Sequence, residues 1–284
     1  MTRDARAQLE VLRPGDAEFR GVIGGAFDVI LGRRLEDVGP VELEATVERD
    51  VEGAALTLGR LRDEGEGEEL PVLVLEPPAR RSRGTVVWIH EEGKSGLVEA
   101  AGEPIAPVRR LLDAGLTVIG VDLLHQGEFR TAAAAEALPE TVRARRVFQG
   151  GGSQPWQRSA VYTFGYNPPL FARRVHDVLT AVRFAGDRAS LSEVTLVGLG
   201  PVAGPLVAAA RAQAEVPLRV ALDVAGFRFE DVERYDDPMF LPGAAKYLDL
   251  PALLALGGGG ALWRPGTGDG DDEAAAIEWV ARMP

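Results

Sequence analysis

The residues best placed to do chemistry stand where short apolar runs end in glycine, histidine or an acid. The clearest case is Val194-Thr195-Leu196-Val197-Gly198-Leu199-Gly200-Pro201-Val202-Ala203-Gly204, which reads as a strand, a tight turn and a helix start. Its Gly-x-Gly-x-x-x-Gly spacing matches a variant of the dinucleotide fingerprint, in which amides at a helix N-terminus cradle a pyrophosphate. Asp223, near the end of the next apolar run, stands where a ribose ligand would. Pro201, however, has no N–H to offer a phosphate. Glycine turns after strands are common, so the spacing alone is weak.

The three histidines are His90, His125 and His176. His90-Glu91 and His125, with Glu128 nearby, each follow an apolar run. If those run ends converge with Asp223, then His90, Glu91, His125 and Asp223 could supply nitrogen and oxygen ligands to a metal. Lone histidines at strand ends more often only hydrogen-bond, and the sequence assigns no metal and no cofactor. His176 borders an apolar helical stripe and reads as structural. A serine nucleophile needs a base fixed within hydrogen-bond reach. Ser153 and Ser159 lie in a long glycine-rich connection and Ser95 follows Lys94, so each reads as a surface serine. With no cysteine, thiolate chemistry and disulfides are both excluded.

The elements that must position these groups follow from hydrophobic period. Residues 1–40 are predicted mainly helical, with Phe19, Val22, Ile23, Phe27, Ile30 and Leu31 at helical spacing. Segments 42–48, 55–61 and 70–75 read as an antiparallel meander. Segments 85–89, 116–121, 194–197 and 218–224 are valine-rich and apolar on both faces, as in buried parallel strands. Helices are expected around 105–113, 170–184 and 205–214, the second opening with Asn167 as cap and prolines in its first turn. Strand–helix alternation implies an α/β fold with a doubly wound, mostly parallel sheet. The connection 145–167 could serve as a lid, with Tyr166 facing the cleft.

The 284 residues suit one large domain, 41–284, behind the helical extension 1–40. A hydrophobic share of 46% is enough for a buried core. The net charge of −12 argues against nucleic acid as a partner. No apolar run is long enough to span a membrane, and the polar start predicts a cytoplasmic protein, although a removed secretory leader would leave the same pattern. Only Lys94 and Lys246 are lysine among 31 basic residues, which reads as coding bias.

The order of elements from about Ala55 onward resembles the α/β-hydrolases, particularly bacterial acetylxylan-esterase-like and dienelactone-hydrolase-like proteins. Further marks are Trp88-Ile89-His90, Gly120-Val121-Asp122 followed by Gln126-Gly127-Glu128, and Asp249 to Leu256 ahead of the last strand. The resemblance implies a nucleophile elbow, Gly-x-Ser-x-Gly, at Gly198 to Val202. The serine position is Gly200, and Pro201 removes the amide that would complete an oxyanion hole. The triad histidine expected after the last strand is absent, since the last hundred residues contain none. Asp269, Asp271 or Asp272 then stands at the family's acid with no imidazole to orient. His90-Glu91-Glu92-Gly93 occupies the place of an oxyanion loop but carries carboxylates that would oppose an oxyanion.

Three readings follow. The first is a degenerate esterase-like protein that binds a small-molecule or carbohydrate ligand, or a partner, in a cleft lined by Glu91, Glu128, Tyr166, Gly198 and Gly200. The second is an ester or carbohydrate-ester hydrolase with a non-standard, even metal-assisted, site drawing on His90, His125 and Asp223. The third is a dinucleotide-binding protein using Gly198 to Gly204. The oligomeric state is left open.

Overall fold

The computed structural model describes residues 3–78, 82–130, 167–235, 237–266 and 272–282. An eight-stranded sheet runs in the order β1-β2-β3-β5-β4-β6-β7-β8. β1 (Val41–Val51), β2 (Ala54–Asp63) and β3 (Glu68–Glu76) form the antiparallel meander, and β3 pairs antiparallel with β5 (Thr117–Val121). β4 (Thr85–Ile89) lies between β5 and β6 (Val194–Gly198), followed by β7 (Arg219–Leu222) and β8 (Leu262–Trp263), all parallel. The four runs read as two-sided strands are β4 to β7, and β4, β5 and β6 are buried at every residue.

The sheet is covered on both faces. Along β4, Val87 and Ile89 join one core cluster while Val86 and Trp88 join the other, as the period of two requires. The first cluster includes side chains of α2 (Gly25–Leu31), α4 (Leu170–Arg188), α5 (Gly200–Ala214) and α6 (Asp249–Leu256). The second includes those of α3 (Ala106–Asp113) and α7 (Asp272–Ala281), whose apolar residues Val108, Leu111, Ile277 and Val280 are fully buried. Every parallel strand therefore points its C-terminal end at one edge, where the loops after β4, β5, β6 and β7 meet.

The N-terminal extension is helical, as expected: α1 (Arg3–Glu10), then Ala17–Phe19, a π-helical turn at Arg20–Gly24, and α2. Phe19, Ile23, Phe27 and Leu31 are buried at a strict spacing of four, whereas Val22 is exposed. Four residues overshoot an α-turn of about 3.6, and the wider π turn absorbs part of that drift. The extension is locked to the sheet by Arg33, which donates to Asp63 at 2.6 Å and Glu68 at 2.7 Å. His176 joins Leu31 to α4 through a 2.6 Å bond between Nε2 and the Leu31 carbonyl, and burial lowers its pKa. It is a core histidine.

Two helix starts differ from expectation. α4 begins at Leu170 with Pro169 as N-cap and no side-chain cap bond, so Asn167 lies outside the helix and neither proline is in its first turn. α5 begins at Gly200, a turn and a half before Pro205. Pro201 sits in its first turn, where amides have no helical partner, so the proline there costs no bond. Tyr166 and the proposed lid up to residue 166 fall outside the described residues, as do Ser153, Ser159, Asp269 and Asp271. Among the described residues no helix is long and apolar enough to cross a membrane.

Candidate functional site

The turn after β6 is tight and sits at the C-terminal edge of the sheet. Gly200 has φ +94, the left-handed region that an elbow forces on its central residue and that glycine adopts at little cost. A Cβ on Gly204 would lie 1.9 Å from the Asp223 carbonyl oxygen, so α5 can approach the end of β7 only without a side chain there. Likewise a Cβ on Gly198 would meet Val207 of α5 at 2.4 Å. Gly200→Ala should therefore destabilise by about 1 kcal/mol through left-handed strain, read as a shift in the urea midpoint with unchanged slope. A Cβ there meets only the flexible end of Glu91, at 2.7 Å, so contact adds little. A neutral or stabilising result would defeat the elbow geometry.

Glu91 was expected at the cleft, and its carboxylate lies over the elbow. Oε1 accepts the Val202 N–H at 3.3 Å, in the first turn of α5, where the helix dipole favours an anion. With Pro201 lacking an amide and Val202 committed to Glu91, two of the donors needed for a pyrophosphate are gone. Asp223 is engaged within its own turn, where Oδ1 accepts the Ala225 N–H at 2.8 Å. The dinucleotide reading therefore loses two of the amides at the helix start that it requires.

The histidines and carboxylates do not converge as a metal site. Among the described residues no group of three or more His, Cys, Asp or Glu could hold a metal ion. His90 Nδ1 accepts the Glu92 N–H at 3.1 Å, and its ring packs over Gly96. His125 is exposed, in a left-handed conformation at φ 63, and Glu128 leaves it to bind Lys94 at 2.6 Å. Ser95 donates to the Glu92 carbonyl, and Asp272 starts α7. The imidazoles belong to separate loops.

What joins these loops is a cluster that the sequence reading missed. Asp122, 1% exposed at the end of β5, accepts Lys94 N–H at 2.9 Å, Glu128 N–H at 3.0 Å and the Lys94 ammonium at 2.5 Å. Gln126 Nε2 adds a bond to the Glu91 carbonyl at 3.3 Å. Behind them, Asp177 of α4 accepts the Leu124 N–H at 2.7 Å while Arg174 donates to the Leu124 carbonyl at 2.9 Å. Burial pushes the Asp177 carboxyl up to about 7. The available signal was Lys94, one of two lysines and here buried in an ion pair, which coding bias does not explain.

No family model matches the chain, and no curated protein does. Solved structures do. A protein assigned as an acetyl xylan esterase from Bacteroides fragilis is similar at TM-score 0.58 and 13% identity, over 98% of this chain and 77% of that one. Acetyl xylan esterase 1 from Thermoanaerobacterium sp. matches at 0.51 and 12%, over 99% and 98%. The glucuronoyl esterase from Solibacter usitatus matches at 0.51 and 13%, over 94% and 81%. Together with the strand order, the antiparallel start and the elbow after β6, these likenesses show that the chain has the α/β-hydrolase fold.

Proposed function

We propose that this protein is a degenerate member of the esterase-like α/β-hydrolases, without Ser-His-Asp catalysis, that binds a ligand or partner at the C-terminal edge of its sheet. The observation that carries the reading is the elbow itself. Its central residue is Gly200, and a carboxylate, Glu91, leans over it and takes the Val202 amide. Acyl transfer needs a nucleophile and donors aimed at a developing oxyanion. A carboxylate at that place repels the charge such donors would stabilise. The similar structures act on acetyl xylan and glucuronoyl esters by name, so a carbohydrate is the ligand class we favour.

The expected result is no hydrolysis of p-nitrophenyl acetate above buffer and no labelling by a fluorophosphonate probe. Gly200→Ser should remain inactive, because no histidine follows in the chain and Pro201 still lacks its amide. Stoichiometric labelling of any serine in the unmodified protein would overturn the proposal in favour of a non-standard hydrolase.

A further inference from the structure

Arg228, Lys246 and Arg264 are three cations that line two adjoining grooves in a chain of net charge −12. Arg228 donates to the adjacent Phe227 carbonyl at 3.2 Å, and the Lys246 ammonium lies 5.0 Å from the Tyr247 ring centroid. An exposed cation needs no partner, so what matters is where these three stand. Arg228 and Lys246 line a groove of 210 Å³ beside the start of α6, with Leu248 and Pro251. Arg228 and Pro251 also line the next groove, of 410 Å³, whose other walls are Leu254, Ala255, Leu262 and Arg264. The two grooves thus share Arg228 and Pro251, with Lys246 in the first and Arg264 in the second, and α6 and β8 give the second its apolar floor.

The wall is rigidly built. Leu248 and Asp249 are consecutive non-glycine residues at positive φ, 66 and 60. Such backbone persists only where its surroundings enforce it, and it clusters at binding sites. Here Asp249 enforces it: its buried carboxylate accepts the Phe229 N–H at 2.9 Å, the Glu230 N–H at 3.0 Å and the Leu250 N–H at 2.5 Å. The same bonds fix the turn that carries Arg228, and they spend the Asp249 charge on amides. Among the described residues, Glu230 is then the one acid with a free carboxylate along these walls, against three cations. Beneath the floor, Arg211 adds positive charge while donating to the Leu254 and Gly258 carbonyls.

We propose that this groove binds an amphipathic organic anion, its carboxylate or phosphate monoester held by Arg228 with Lys246 or Arg264 and its apolar body on Leu254 and Leu262. Arginine's planar fork suits both acid groups, and a two-ring body matches the larger groove. The inference is independent of the elbow, with which the groove shares no residue.

The test is calorimetric titration of the full chain with 1-naphthyl phosphate, 1-naphthoate and uncharged 1-naphthol. At least one of the anions should bind saturably and at least about tenfold more tightly than naphthol, as a charge-assisted hydrogen bond allows. Which anion binds more tightly distinguishes a phosphate from a carboxylate source. Arg228→Gln with Arg264→Gln should weaken that binding about tenfold or more and flatten its salt dependence. The exposed Arg264→Gln alone, and Lys246→Gln, should each weaken it less. Equal affinity for naphthol and both anions, or anion binding untouched by these substitutions, overturns the proposal.

Discussion

Asp177→Asn should stabilise the protein by up to about 4 kcal/mol above pH 7 and by little near pH 4. The sign follows from burial, which raises the folded-state carboxyl from 3.8 to about 7 and outweighs the lowering by the Leu124 amide and by Arg174 and Arg173. Below pH 3.8 both the folded and the unfolded chain carry the proton, and ionisation plays no part. As the pH rises from there to about 7, the unfolded chain releases a proton that the folded chain retains, so stability falls through that window. Above it the loss is complete and constant. Asparagine cannot ionise, and its amide oxygen can still accept the Leu124 N–H that Asp177 binds at 2.7 Å. The check is a series of urea unfolding curves between pH 4 and 8. Parallel pH profiles for variant and parent would refute the burial argument, as would a variant less stable at pH 8.

This carboxyl also shows why the site was only partly legible in the sequence. The strand runs 85–89, 116–121, 194–197 and 218–224 announced β4 to β7 because strands buried on both faces must be apolar at every residue. Their ends were harder to place. The Asp223 N–H makes the last ladder bond of β7, to the Gly198 carbonyl of β6, and β7 stops there because the Asp223 side chain closes a turn on the Ala225 N–H. Gly200 was legible, since an absent hydroxyl is visible in one residue. Glu91 reaching the amide of Val202, 111 residues away, was not. Nor was Asp177 bonding to Leu124, because a period of 3.6 places an acid on a helix face without saying what backbone lies opposite. Long-range polar pairs of this kind are set by how loops meet at the sheet edge, and local pattern carries no trace of that.

Removing the Lys94 ammonium should be the most damaging single change at that edge. Lys94→Met is expected to cost roughly 3 kcal/mol or more, because it leaves a carboxylate buried without its cation. Asp122 is 1% exposed, and the two amides it keeps, from Lys94 and Glu128, supply hydrogen bonds but no full charge. Asp122→Asn should be milder, since the stranded ammonium still has Glu128 at 2.6 Å, and that carboxylate is 61% exposed and well solvated. The double variant should then lose less than the sum of the two, because the partner left uncompensated in each single variant is gone. Urea unfolding of the four proteins gives the coupling directly. The structural consequence goes beyond stability. Asp122 binds the backbone of both loops, and Gln126 ties the second loop to the Glu91 carbonyl at 3.3 Å. A loss of under about 1 kcal/mol in Lys94→Met, or strict additivity in the cycle, would mean that the amides alone hold the loops after β4 and β5 together. Glu91 would then keep its place over Gly200 with no help from the ion pair.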